Sequence, residues 1–383
     1  MSRKKRIKET PIDRLSALPD CLIIHILSLL EVKQSAITAL LSKRWQFLWT
    51  QSPRLVFRAS ETWMQPPEVQ DFVSRVNKTL FICGQNDLDT FEVEFPYSES
   101  YSPDVDVWVG FAVKNKAKQV SLLLYGNLDD YHRLPRTMFQ SAYLKRLTLR
   151  GCAVFTWGTI EWPSLTELSI EKSSLQQHMM EKMLSGCPVL HFLDLKDCWG
   201  YNRLEVSSKS LYELWVSDSE EDEGAFEPFL QISAPYLHTL SVALYPVGRK
   251  FCLENTTSLV RATIDFVGSG WDFENVEIAS NAKEIFEKIQ HVKVVNLGYN
   301  YMEVLSWLAI NDYRFPQSAR TSLTVKVATV ECSIHVLVGL LESSPSLETL
   351  VIEGSHTNWE PCTCIDSKTG LVAFKEYCYQ RLY

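Results

Sequence analysis

Leu144-Lys-Arg-Leu-Thr-Leu-Arg-Gly-Cys152 is followed by Leu165-Thr-Glu-Leu-Ser-Ile-Glu-Lys-Ser173, Leu190-His-Phe-Leu-Asp-Leu-Lys-Asp-Cys198 and Leu211-Tyr-Glu-Leu-Trp-Val-Ser-Asp-Ser219. Leu237-His-Thr-Leu-Ser-Val242 continues the series, and Leu347-Glu-Thr-Leu-Val-Ile-Glu353 returns to it near the end. The shared frame is Leu-x-x-Leu-x-[Leu/Ile/Val], and successive first leucines stand 21, 25, 21 and 26 residues apart. Within each frame apolar and polar residues alternate with period two, the signature of a short strand with one buried face. One such unit cannot cover its own leucines. Stacking a neighbour on each side supplies the missing half of the core.

Working outward, Pro-x-Leu precedes the strand at Pro163, Pro188, Pro235 and Pro345. Segments of helical spacing lie before two of these prolines, 175–187 (with Met179, Met180, Met183 and Leu184) and 334–343. A unit therefore reads as helix or loop, proline turn, short strand. Weaker units are expected at 91–95, 120–124, 259–264 and 292–297. The spacings fall in the range of leucine-rich repeats. The competing fold, a doubly wound α/β sheet, calls for longer β-α-β units and a glycine-rich phosphate turn, and this chain has only 15 glycines and no such turn. The expectation is an α/β fold in which an irregular leucine-rich-repeat solenoid carries a parallel sheet.

In such strands the leucines point inward and the residues between them form an open face. That face is expected to carry Arg146, Thr148 and Arg150, then Glu167, Ser169 and Glu171, then Phe192, Asp194 and Lys196, then Glu213, Trp215 and Ser217. Aromatic side chains on a polar ridge are interface anchors. Arg146, Glu167, Phe192, Asp194, Glu213 and Trp215 are the candidate target-binding residues, with Phe192 and Trp215 foremost. The bland alternative for that pair is cover by a loop or by the C-terminal segment. The acidic run 218–224 reads as a solvated loop, or else as a feature that receives a basic peptide.

The composition bounds the rest. Of 383 residues 46% are apolar, enough for a sizeable core, and the net charge of −8 argues against a general nucleic-acid binder. The basic residues Arg3 to Arg6 are not followed by the apolar run of a secretory signal, and the apolar stretch 21–30 is too short to span a membrane. Those basic residues read as a flexible tail or a nuclear import signal, and the expected location is nucleus, cytoplasm or both. The ten cysteines are scattered and are expected to be reduced, and Cys362-x-Cys364 lacks the spacing of a zinc knuckle. No metal and no cofactor is expected.

The first fifty residues are too apolar to stand alone. After Pro19, which suits a first helical turn, Leu22, Ile23, Ile26, Leu27, Leu29 and Leu30 follow helical spacing and cover more than one face, with Ile24 on another. A helix apolar nearly all round must be buried nearly all round. A second short helix is predicted near 34–41 and a third over 43–49, capped by Ser42. The excess apolar surface needs the rest of the chain or a partner.

The residue identities point further. Asp13-Arg14-Leu15-Ser16-x-Leu18-Pro19-Asp20-x-Leu22-Ile23, Ile26-Leu27-Ser28-Leu29-Leu30 and Leu41-Ser42-Lys43-Arg44-Trp45-x-x-Leu48-Trp49 closely resemble the F-box motif, most of all that of the plant F-box proteins with leucine-rich repeats. The resemblance implies a three-helix module that docks on a Skp-type adaptor and, through it, on cullin and RING subunits. It places Leu18, Pro19, Ile23, Ile26 and Leu27 as adaptor contacts and Leu41 and Trp45 as contacts or their supports. Internal core residues of the module are the alternative for each. The family often has proline after the first helix, where this chain has Glu31-Val32-Lys33. Phe315-Pro316, the stretch 340–350 and Trp359-Glu360-Pro361 are similar to the start of the family's C-terminal FBD region, of which only a part is expected here. The implied organisation is a tail (1–12), an F-box (13–57), a repeat region (58–314) and a last repeat with an FBD-like segment (315–383).

No Gly-x-Ser-x-Gly elbow, P-loop, His-Glu-x-x-His or dinucleotide fingerprint is present, and the eight histidines are dispersed. The chain is therefore expected to be non-catalytic. The function the resemblance implies is substrate recognition for an SCF-type ubiquitin ligase, with an unknown target protein on the repeats and neither nucleic acid nor membrane as partner. The alternative is a repeat scaffold that recruits no ligase.

Overall fold

A computed structural model describes residues 15, 17–59, 65–84, 87–126, 130–155, 158–206, 208–218, 229–247, 250–268, 275–327 and 333–354. The basic tail, the acidic residues beyond Asp218, Trp359-Glu360-Pro361 and Cys362-x-Cys364 lie outside the described residues. The chain divides into two compact units, residues 1–127 and 128–383.

The first unit opens with α1 (Asp20–Ser28) and α2 (Val32–Ile37), which tightens into a 3-10 turn at Thr38–Leu40. The third predicted helix is a 3-10 helix at Trp45–Gln51. Pro19 stands just before α1, and its carbonyl accepts the first two helical bonds, from Leu22 N at 3.0 Å and Ile23 N at 3.1 Å. Arg44 ties the third element back to this start, donating through Nε to Asp20 Oδ1 at 2.9 Å and through Nη2 to the Leu18 carbonyl at 2.6 Å. Ser35 Oγ donates to the Leu27 carbonyl at 2.9 Å and fixes α2 against α1. Val32, within the Glu31-Val32-Lys33 turn, is buried at the start of α2.

Three β-strands follow in this unit: β1 (Arg54–Arg58), β2 (Thr90–Pro96) and β3 (Gln119–Tyr125), parallel and in that order. β1 thus begins inside the segment assigned to the helical module, and Arg54 Nη1 reaches the Ser28 carbonyl at 3.3 Å. The connections are α3 (Pro66–Cys83) and α4 (Ser102–Lys114). Proline in the first turn, a Gln65/Glu68 capping box and Gly84 at φ 64° delimit α3. Val69, Phe72, Val73, Val76 and Leu80 form its buried stripe. Trp108 of α4 is fully buried and donates to Asn77 of α3 at 2.7 Å, so the indole N–H is satisfied inside the core.

In the second unit the strands run β4 (His132–Arg133), β5 (Arg146–Arg150), β6 (Cys152–Ala153), β7 (Glu167–Ser174), β8 (Phe192–Trp199), β9 (Arg203–Glu205) and β10 (Glu213–Ser217). They continue as β11 (Phe229–Ser233), β12 (Thr239–Leu244), β13 (Lys250–Glu254), β14 (Arg261–Phe266), β15 (Val294–Leu297), β16 (Ser322–Val327) and β17 (Thr349–Gly354). Nine of them form one parallel array in the order β5-β7-β8-β10-β12-β14-β15-β16-β17. Each quoted leucine frame is one of these strands, and the weaker units at 91–95, 120–124, 259–264 and 292–297 are β2, β3, β14 and β15. The helices are α5 (Gln177–Gly186), α6 (Val276–Lys288), α7 (Tyr299–Ile310) and α8 (Ile334–Glu342), so the two predicted helical segments are α5 and α8.

Along β5, β10, β12, β14, β15 and β16, and over the first four residues of β7 and β8, buried residues alternate with half-buried or exposed ones. Among the described residues only one face of this sheet is fully covered, unlike the doubly wound arrangement with helices on both faces. The repeat shows at its corners too. Gly151, Lys172 and Asp197 follow register-matched Arg150, Glu171 and Lys196, and all three have positive φ, at 65°, 46° and 51°. The next residue closes the corner by donating to the carbonyl two residues back: Cys152 Sγ at 3.5 Å, Ser173 Oγ at 2.9 Å and Cys198 Sγ at 3.4 Å.

Not foreseen was a second parallel sheet, β9-β11-β13, which occupies the place of a helix in the middle repeats. Its strands bury Leu204, Leu230, Ile232, Phe251 and Leu253 in a period-two pattern.

Candidate functional site

Two surfaces carry groups that internal packing does not use, one on each unit. On the helical module, Ile23, Leu27, Trp45 and Leu48 form the core, with Leu18, Ile24, Leu30 and Trp49 packed against it. Ile23, Leu27 and Trp45 are 0%, 1% and 4% exposed. Ile23 and Leu27, assigned as adaptor contacts, therefore lie in the interior between the helices, and Trp45, assigned as a contact or its support, packs there beside them. Leu18 is half-buried, Pro19 is exposed, and Ile26 and Leu41 are 39% and 64% exposed.

Leu22, Leu29, Ile37, Leu40 and Phe47 are exposed as well, Leu40 to 86%. Leu22, Ile26 and Leu29 recur at i, i+4 and i+7 and so share one stripe of α1, on the side away from Ile23 and Leu27. A cluster of large apolar side chains exposed on so small a module marks an interaction surface. Sequence reading missed Leu22, Leu29, Ile37, Leu40 and Phe47. The signal was present, because a helix apolar on every side must hold some of its residues outside the module.

The second surface is the open face of the strands in the second unit. Register brings Arg146, Glu167, Phe192 and Glu213 into one row, and Thr148, Ser169, Asp194 and Trp215 into the next. Arg146 forms a two-pronged ion pair with Glu167, one prong being Nη2 to Oε1 at 2.7 Å. Arg150 pairs with Glu171, and Lys196 Nζ lies 3.0 Å from the same carboxylate. Burial alone would raise the Glu171 carboxyl, but Lys196 and Arg150 outweigh it and hold it below its ordinary range.

Phe192 and Trp215 meet edge to face, with centroids 5.3 Å apart and planes at 78°. The Trp215 indole donates to Glu213 Oε1 at 2.7 Å, and 44% of the residue remains exposed. Asp194 stands directly across from Trp215 and two residues beyond Phe192 on this face, half-buried, with its carboxyl raised by burial and by the charge of Glu171. At the start of the same strands His191, Tyr212 and His238 stack nearly parallel, at 5.1 and 4.3 Å between successive rings.

Among the described residues no group of three His, Cys, Asp or Glu stands together as metal ligands, and no helix is long and apolar enough to cross a membrane. Four described cysteines are buried, and burial pushes the Cys83 thiol to about 11 and the Cys152 and Cys187 thiols to about 12. They are packing groups and not thiolate nucleophiles.

The chain thus joins a small helical module with an exposed apolar surface to a parallel repeat sheet, and comparison with known proteins gives this architecture its family. Residues 15–57 match the F-box domain, and residues 105–255 match the family described as FBD-associated F-box protein At5g56370, LRR repeats. F-box/LRR-repeat protein 25 of Arabidopsis thaliana is 32% identical over 60% of this chain and 84% of its own length. F-box/LRR-repeat protein At4g14096 of the same plant is 28% identical over 89% of this chain and 73% of its own. F-box protein At5g03100, also from Arabidopsis, is 27% identical over 77% of this chain and 92% of its own. The chain belongs to the F-box/leucine-rich-repeat family.

Proposed function

We propose that this chain is the substrate-recognition subunit of an SCF-type ubiquitin ligase. The helical module docks on a Skp-type adaptor, which links it to cullin and RING subunits, and the repeat face holds a target protein. The observation that carries this reading is the exposed apolar set Leu22, Ile26, Leu29, Ile37, Leu40, Leu41 and Phe47, on a module whose core is already complete without them. Burying such side chains against a partner gains about 1.5–3 kcal/mol each when fully covered. The chain's own chemistry is then proximity: it holds a target lysine near a charged conjugating enzyme and leaves thioester chemistry to other subunits. Such a role needs neither cofactor nor metal, and it suits the nucleus or the cytoplasm.

The test is capture of the purified chain on an immobilised plant Skp-type adaptor, beside the variants Ile26→Glu and Leu41→Glu. Capture by the wild type that both variants lose supports the reading. A folded wild type that is not captured leaves a repeat scaffold that recruits no ligase.

A further inference from the structure

The cations of the repeat face are largely committed within it. Arg146 is held by Glu167, while Arg150 and Lys196 converge on Glu171. The carboxylates are less evenly matched. Glu213 accepts only the neutral Trp215 indole N–H, and Asp194 receives neither a hydrogen bond nor an ion pair among the described residues. Lys196, two residues along the same strand, is the cation that most influences Asp194, yet its ammonium group sits 3.0 Å from Glu171.

A half-buried carboxylate with no donor carries a desolvation cost that only a cation or donor from outside can offset. Its surroundings suit a cation. Asp194 is the direct cross-strand partner of Trp215, and Phe192 lies two residues before it on the same face. Phe192 and Trp215 stand at 78° to one another, so they present two walls of a corner. Aromatic faces beside carboxylates attract ammonium and guanidinium groups, by about 0.5–2 kcal/mol for each cation–π contact.

We propose that Asp194, Phe192, Trp215 and Glu213 form a receptor for a cationic side chain, a lysine or arginine presented by the target protein. The ammonium or guanidinium group sits against the Trp215 ring and pairs with Asp194, while Glu213 holds the indole in place through its N–H. The raised Asp194 carboxyl fits this arrangement, since it reports an ionised form that still lacks its counter-charge. The inference rests on the repeat face being the target-binding surface, as the functional reading above has it.

The experiment measures fluorescence anisotropy of the full chain with four labelled peptide pools. The pools have identical degenerate flanks and a fixed central lysine, arginine, norleucine or glutamate. The lysine and arginine pools are expected to bind at least tenfold tighter than the norleucine pool, with the glutamate pool weakest. Asp194→Asn, nearly isosteric, is expected to cut that preference below threefold, and Trp215→Leu to weaken both cationic pools. Four pools that bind alike, a glutamate pool that binds best, or an Asp194→Asn chain that keeps the full preference overturns the proposal. The comparison of pools on the wild type decides the matter even if a variant does not fold. Adaptor capture is run on the same preparations. Cation preference without capture removes the ligase reading and leaves the receptor, while capture without cation preference removes the receptor and leaves the ligase reading.

Discussion

Ile23 and Ile26 lie one turn apart on α1 and have opposite fates, so alanine at each separates folding from docking. Ile23 is fully enclosed by Leu27, Trp45 and Leu48, three side chains from two elements. Removing its outer carbons leaves a cavity, and such changes cost about 2–5 kcal/mol. A three-helix module of this size can collapse around part of the void, which favours the lower half, about 3 kcal/mol. Ile26 is 39% exposed and leaves no closed void when trimmed, so its alanine variant should cost under about 1 kcal/mol in the free chain. At an adaptor interface the same trimming removes a covered apolar side chain, worth about 1–2 kcal/mol, close to tenfold in affinity.

The assay is hydrogen exchange of the α1 amides, paired with adaptor capture. Exchange reads the local opening of the module separately from the remainder of the chain. Ile23→Ala should accelerate α1 exchange about 100-fold, which is 3 kcal/mol at about 1.4 per decade. Ile26→Ala should change exchange less than fivefold while weakening capture about tenfold. The reasoning fails if Ile23→Ala leaves α1 protected, or if Ile26→Ala opens the helix as far as Ile23→Ala does.

Four further outcomes are expected. Gly298 stands before α7, where an added Cβ would lie 1.9 Å from Asp265 Cγ, the carboxylate that accepts from Tyr301 N at 3.2 Å and Phe266 N at 2.9 Å; Gly298→Ala should lower the urea midpoint of unfolding, and an unchanged midpoint would show that Asp265 swings aside freely. His132 is fully buried with its pKa lowered by burial to about 4, whereas the unfolded side chain titrates near 6.5. Its contribution is absent above pH 6.5, and between 6.5 and about 4 the unfolded state takes up a proton the folded state refuses, so about 3 kcal/mol of stability is lost across that window; a His132→Gln chain whose stability falls just as steeply there would refute this. Arg320 is fully buried, 4.7 Å over the Phe286 ring, with none of its three guanidinium nitrogens hydrogen-bonded among the described residues; Arg320→Met should match or exceed the wild type in thermal melting, and a large loss would mean the charge is compensated in place. The Arg146–Glu167 pair is exposed, and a double-mutant cycle on stability should return under about 1 kcal/mol.

What was legible in the sequence tracks how local the deciding contacts are. The frame Leu-x-x-Leu-x-Leu announces its strand because period two is a property of six consecutive residues, and the register Leu147, Leu168, Leu193, Leu214 follows once units stack. The strand Phe229–Ser233 has the same period, but it lacks the leading leucine and borders the acidic run, so it did not register as part of a second sheet. On α1 the limit is of another kind. Ile23, Ile26 and Leu27 are alike in type and spacing, and which of them faces inward is set by Trp45 and Leu48, twenty residues on, through the clamp of Arg44 on Asp20 and the Leu18 carbonyl. The repeat face shows both limits together. That Asp194 lies on it follows from alternation alone. That it lacks a partner depends on Lys196 reaching across to Glu171 on the neighbouring strand, a choice made 25 residues away in sequence. Removing the charge at Glu171 therefore acts at a distance: Glu171→Gln releases Lys196 to pair with Asp194 on its own strand, fills the receptor from within, and should cost the lysine- and arginine-centred pools their preference although Glu171 itself touches no ligand. Unaltered preference in Glu171→Gln would mean that Lys196 stays away from Asp194 for reasons other than the Glu171 pair.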